Sequence, residues 1–129
     1  FGPSPTRFGG YRPESEPETL ALTELCRTAN IRQAAALHSQ GEVIYWSYGN
    51  SEPPRAKKMA EIMSTSSGYA LDVPVGIADG GGFKDWFITE FRRPGFTIEL
   101  GTGKNPLPAA DAEKIYMRVR KMLMLFIMM

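Results

Sequence analysis

Two ionisable residues stand where ionisable residues are costly. His38 closes the apolar run "AAALH" and is the only histidine in 129 residues. Glu99 interrupts "GFTIELG", between the core-like Phe96, Ile98 and Leu100. A carboxylate in such a strand must be paired, hydrogen-bonded or placed at an open edge of the core. The C-terminal end of a strand is where open α/β sheets place ligands, and a carboxylate held there can act as a general base. A strand-end glutamate paired with a Lys or Arg would fit as well. His38, taken alone, fits a structural imidazole in a hydrogen bond. A metal site needs three or four ligands, commonly His or Cys among them. One histidine and one cysteine, Cys26, cannot supply an ordinary catalytic zinc site.

The elements that must position these residues can be read from the apolar spacing. Residues 1–14 are rich in Gly and Pro and read as loop; residues 15–129 read as the α/β part. Ser15 and Glu18 have capping-box spacing, with Pro17 tolerated in the first helical turn. Leu22, Leu25, Cys26 and Ala29 follow as one buried helix stripe. "IRQAAALH" and "EVIYW" read as strands. A helix is predicted from about Pro54 to Ser66, stopped by Gly68. "ALDVPV" carries a weak strand signal, and "KDWFITEF" fits a short helix or a strand. "GFTIELG" is a strand stopped by Gly101. "GTGKNPLP" is a turn, and residues 109–129 form a terminal helix with Ile115, Val119, Met122 and Phe126 on one face. Helices alternating with short apolar strands give an α/β class with a largely buried sheet.

Composition narrows the function. A net charge of +1, with no long run of like charge, gives no electrostatic case for nucleic acid or an acidic membrane. The terminal "MLMLFIMM" is too short for a membrane span. "GGG" at 80–82 lacks the Gly-Lys-Ser/Thr of a phosphate loop; it fits a mobile loop that lets backbone approach a substrate. No signal peptide is in view, and the sequence leaves the compartment open.

In order, "PESEPET", "LHSQGEVIYW", "SGY", "GGGFKDWF" and "GFTIELG" resemble the second half of the carboxypeptidase A-like zinc peptidases. Within that family they resemble the bacterial γ-D-glutamyl-L-diamino acid endopeptidases, which cleave cell-wall peptides. The resemblance covers nearly the whole chain and implies a three-layer α/β/α fold with a mixed sheet, present here as its C-terminal part. It implies that His38 is one ligand of a Zn2+ ion. It implies that Glu99 is the catalytic glutamate, which activates a zinc-bound water and passes the proton to the leaving amine. The family's His-x-x-Glu pair and its substrate-clamping Asn-Arg pair are absent. The expectation is that the remaining ligands lie upstream of residue 1. The partner is then the missing N-terminal half of the catalytic domain, and the chain alone is inactive.

The resemblance also points to a substrate pocket. The residue before "DW", here Lys84, would lie at the floor of the pocket for the residue after the cleaved bond. An ammonium there would favour a carboxylate, as on diaminopimelate; Lys84 facing solvent or paired with Asp85 is the plainer reading. Counting back from "DW" sets Ile77 where the family has a tyrosine over the substrate. Tyr69 in "SGY" is the nearest tyrosine, with a core or surface role as the alternative. Gly82 belongs to the flexible loop. Gln40 and Glu42 could sit at the cleft rim. Trp46, Trp86 and the Met-rich terminal helix read as packing. Two other functions fit: a peptide-binding pseudo-enzyme without metal, and an exo-acting zinc carboxypeptidase.

Overall fold

The computed structural model describes residues 10–73 and 80–129. The chain divides into two compact units, residues 1–31 and residues 32–129. The first holds helix α1, Pro17–Thr28. Its N-cap is Glu16, with no side-chain cap bond, so the capping box centred on Ser15 does not form. Ser15 Oγ instead donates to Glu16 Oε1 at 2.9 Å. Of the expected stripe only Cys26 is buried; Leu22 and Leu25 are 42% and 54% exposed. Arg27 on the last turn grips Glu14, its Nη1 donating to Oε2 at 2.9 Å.

The second unit runs β1 (Ala34–His38), β2 (Val43–Tyr45), α2 (Pro54–Ser67), β3 (Ala70–Asp72), α3 (Phe83–Phe91), β4 (Gly95–Glu99) and α4 (Ala112–Met128). "KDWFITEF" is therefore helix, and β3 is the "ALD" of "ALDVPV"; residues 74–79 lie outside the described ones. The sheet order is β1-β4-β2-β3. β4 is parallel to β1 and antiparallel to β2, and β2 is parallel to β3, which makes the sheet mixed.

Strand alternation sorts the two faces. Ile44, Phe96 and Ile98 point to one side, where Met59, Ala60 and Met63 of α2 and Val119 and Met122 of α4 close the core. These helix positions recur at three- and four-residue intervals. The Met-rich helix is only partly packing, since Met117, Met124 and Met128 are exposed. α2 starts at a proline, which donates no backbone hydrogen bond anyway, and ends at Gly68 in the left-handed region, φ 74°.

On the other face the residues of β1 and β4 are small. Ala34, Ala36 and Gly95 leave room for α3 to come close. A Cβ on Gly95 would lie 3.1 Å from both Ile88 Cγ1 and Lys84 O. Helices on both faces of a mixed sheet make three layers, the expected architecture. α3 carries an aromatic stack in which Trp86 meets Phe91 edge-on at 5.4 Å.

Candidate active site

His38 and Glu99 end adjacent parallel strands and are directly paired in register. Neighbouring strands lie roughly 4.8 Å apart, and paired residues share a face. The two side chains therefore leave the sheet side by side, on the α3 face. Thr97, two residues before Glu99, shares that face. So does Tyr45, which pairs with Thr97 across the antiparallel β2–β4 ladder. Pairing continues past the strand ends, where Leu100 N–H donates to His38 O at 2.8 Å.

The first turn of α3 builds the opposite wall. Together they enclose a cleft of about 310 Å³, with His38 and Glu99 on the sheet side and Gly82, Phe83, Lys84 and Asp85 on the helix side. Gly82 is the N-cap of α3. A larger apolar groove of about 740 Å³ runs beside α4, lined by Leu37, Leu100, Ile115 and Tyr116 among others. It contains no carboxylate, so the smaller cleft is where an acid group and an imidazole meet.

Lys84 is buried rather than solvent-facing. Its Nζ donates to Ser47 O at 2.6 Å and to the Asp85 carboxylate. The ammonium lies 5.6 Å from the centroid of the Tyr48 ring. Asp85 Oδ2 accepts Gly80 N–H at 3.0 Å. The pairing with Asp85 that the sequence left as an alternative is thus what forms. An ammonium has three donors, and these acceptors take two of them.

Other sequence candidates go elsewhere. Tyr69 does not line the cleft: it is 1% exposed within the α2–α4 core, and its hydroxyl accepts Gly101 N–H at 3.2 Å. Gln40 is exposed in the turn after β1 and is not part of the cleft lining. Glu42 turns away to Arg118, whose Nη1 donates to its Oε1 at 2.9 Å. Ile77 lies outside the described residues. Conversely, Tyr45, Thr97 and Asp85 line the cleft without having been singled out as site residues. Thr97 was accessible from strand period alone; Tyr45 required the β2–β4 register.

The donor set tests the fit to a metal. Among the described residues no three His, Cys, Asp or Glu side chains lie together. His38 offers one imidazole at the cleft and Glu99 one carboxylate beside it. These residues do not by themselves make a complete zinc site, and the His38 imidazole is of a donor type that zinc takes.

A model of the zinc carboxypeptidase family matches residues 2–121. The chain is 46% identical, over 88% of its length, to γ-D-glutamyl-L-diamino acid endopeptidase 1 of Lysinibacillus sphaericus. It is 38% identical, also over 88%, to the uncharacterized protein YqgT of Bacillus subtilis. It spans 28% and 30% of those proteins, under a third of each. Carboxypeptidase A from Helicoverpa armigera shares the fold with a TM-score of 0.75 at 18% identity, over 92% of this chain and 35% of that one.

Proposed function

The chain belongs to the zinc carboxypeptidase family, and from that premise we propose that it supplies the base and the substrate-sorting wall of a zinc peptidase acting on cell-wall peptides. The bond we assign is the one between γ-D-glutamate and diaminopimelate. The observation that carries this reading is the in-register pairing of His38 with Glu99 at the mouth of a cleft walled by Lys84. The 46% identity to a γ-D-glutamyl-L-diamino acid endopeptidase supports the substrate class.

Zinc, when bound, supplies Lewis acidity toward water and the scissile carbonyl. His38 is one of its ligands, and the others lie outside this sequence, which holds no second histidine. Glu99 takes a proton from the attacking water and returns it to the leaving amine. Its place on β4, held between β1 and β2, fixes the backbone that carries the carboxylate. Lys84 receives the extra carboxylate of the diaminopimelate side chain through its remaining N–H. Asp85 already neutralises the ammonium, so selection rests on hydrogen-bond geometry rather than on net charge. Thr97 and Tyr45 line the rest of this pocket.

The test uses the chain alone and the longer protein that contains it, each with zinc, on L-alanyl-γ-D-glutamyl-diaminopimelyl-D-alanine and its lysine analogue. The longer protein is expected to cleave the γ-D-glutamyl bond and to prefer the diaminopimelate peptide. The chain alone is expected to give no turnover. Clear turnover by the chain alone, or equal rates on both peptides, would sink the respective part of the reading. Cleavage only of a free C-terminal residue would make the enzyme an exopeptidase.

A further inference from the structure

The turns that follow His38 and Glu99 are fastened to each other and to the helical layer. Gly41 N–H donates to Gly101 O at 2.7 Å. Gly101 N–H donates to the Tyr69 hydroxyl at 3.2 Å. Tyr69 follows the Gly68 cap of α2, and its backbone is itself held: its N–H donates to Ser67 Oγ at 3.1 Å and its carbonyl accepts Ser64 Oγ at 2.7 Å. The Arg118 guanidinium lies over the Tyr69 ring, 5.3 Å from the centroid. The same guanidinium donates through Nε to Ser67 O at 3.1 Å and through Nη1 to Glu42 Oε1 at 2.9 Å. Glu42 holds a left-handed backbone conformation, φ 54°, in the turn that leaves His38.

We infer that Tyr69 and Arg118 are positioning residues for the His38–Glu99 pair. This rests on the peptidase reading above only for its kinetic consequence. Neither residue touches the cleft. The Tyr69 hydroxyl fixes the amide two residues after Glu99. Through the Gly101 carbonyl it also fixes Gly41, three residues after His38. Arg118 pins the same turn one residue further on. A phenylalanine at position 69 would fill the same core space but leave the buried Gly101 N–H without an acceptor. The strand ends would then be free to shift, and proton transfer tolerates little displacement.

The sole histidine makes the geometry directly readable. In this chain His38 gives one imidazole Hε1–Cε1 signal, recorded at a fixed alkaline pH for wild type, Tyr69→Phe and Arg118→Gln. Both variants are expected to move that signal and the Glu99 amide, and to speed exchange of the Gly41 or Gly101 amide at least about tenfold. The amides of β2 and α2 should hold their positions. Folded variants with His38, Glu99 and both glycine amides unchanged would overturn the inference. Arg118 is half-exposed, so Arg118→Gln retains the test if Tyr69→Phe fails to fold. In the longer zinc-loaded protein, Tyr69→Phe is expected to lower kcat between about tenfold and a hundredfold, with KM within about twofold. An unchanged kcat, or a loss confined to KM, also overturns it. An inactive wild type instead defeats the peptidase reading and leaves the resonance result to decide the inference.

Discussion

Replacing Lys84 by methionine should cost about 3–5 kcal/mol of folding stability. Both side chains of the Lys84–Asp85 pair are 3% exposed, so neither charge has water to fall back on. Lys84 Nζ donates to Asp85 and to Ser47 O, and the other Asp85 oxygen keeps only Gly80 N–H. Methionine keeps the unbranched stem and removes both donations. It leaves an unpaired buried carboxylate and an orphaned carbonyl; the carbonyl alone is worth about 1–3 kcal/mol. Domains of this size are stable by only about 5–15 kcal/mol, so the variant should stand close to unfolding. Adding Asp85→Asn removes the stranded charge, and the amide oxygen can still accept Gly80 N–H. The double variant should therefore recover about 2 kcal/mol relative to the sum of the single losses. Urea unfolding followed by Trp46 and Trp86 fluorescence measures each difference, with the slope m checked for constancy. A Lys84→Met loss below about 1 kcal/mol, or additivity within about 0.5 kcal/mol, refutes the argument. It follows that substrate selectivity belongs in the double variant; a Lys84→Ala enzyme would confound pocket chemistry with unfolding.

Gly95→Val should push the first turn of α3 off the sheet, because a Cβ alone already meets Ile88 Cγ1 and Lys84 O at 3.1 Å; a loss of about 1–3 kcal/mol in urea unfolding is expected, and an unchanged midpoint counts against the close approach. Gly101→Ala is strained twice, by φ 66° and by a Cβ only 2.8 Å from Ile115 Cδ1; Ile115→Val deletes that atom and should restore part of the melting temperature, whereas no restoration would rule out the clash. Glu14 has its pKa lowered, first by its hydrogen bond to Arg27. Its contribution is thus present above the ordinary carboxylate range and lost as pH falls through the lowered value. Protection of the α1 amides should weaken across that acid window in wild type, and an identical profile for Glu14→Gln would refute the link.

The two candidate residues stood out because each broke a local pattern: a histidine at the end of an alanine run, a carboxylate within an apolar strand. That they lie side by side was not legible. It follows from the parallel pairing of β1 with β4, two strands far apart in sequence whose register no local spacing encodes. Lys84 was legible as a candidate, with the Asp85 pairing as an alternative; its second acceptor was not legible, because that carbonyl belongs to Ser47, 37 residues away. Tyr69 was left open between cleft and core for a related reason. Its position after "SG" marks a helix end, and whether a tyrosine there faces a cleft or a core depends on where α4 packs. The leucines of α1 show the limit of periodicity: a helical stripe states which residues share a face, not that the face is covered.

The placement of the pair fits a division of labour between the two strands. β4 is bonded on both sides, to β1 and to β2, so Glu99 leaves an interior strand of the sheet. A base must meet its proton at hydrogen-bond distance, so a fixed strand suits the role proposed above for Glu99. β1 stands at the edge of the sheet among the described residues, and His38 is exposed there. If His38 is the metal ligand proposed above, that open side leaves room for further donors to reach the same ion. Small residues complete the arrangement: Ala34, Ala36 and Gly95 let α3 settle against the strands, and that contact is what carries Lys84 and Asp85 to the wall facing Glu99. The chemistry of the cleft thus depends as much on three missing side-chain volumes as on the charged groups that line it.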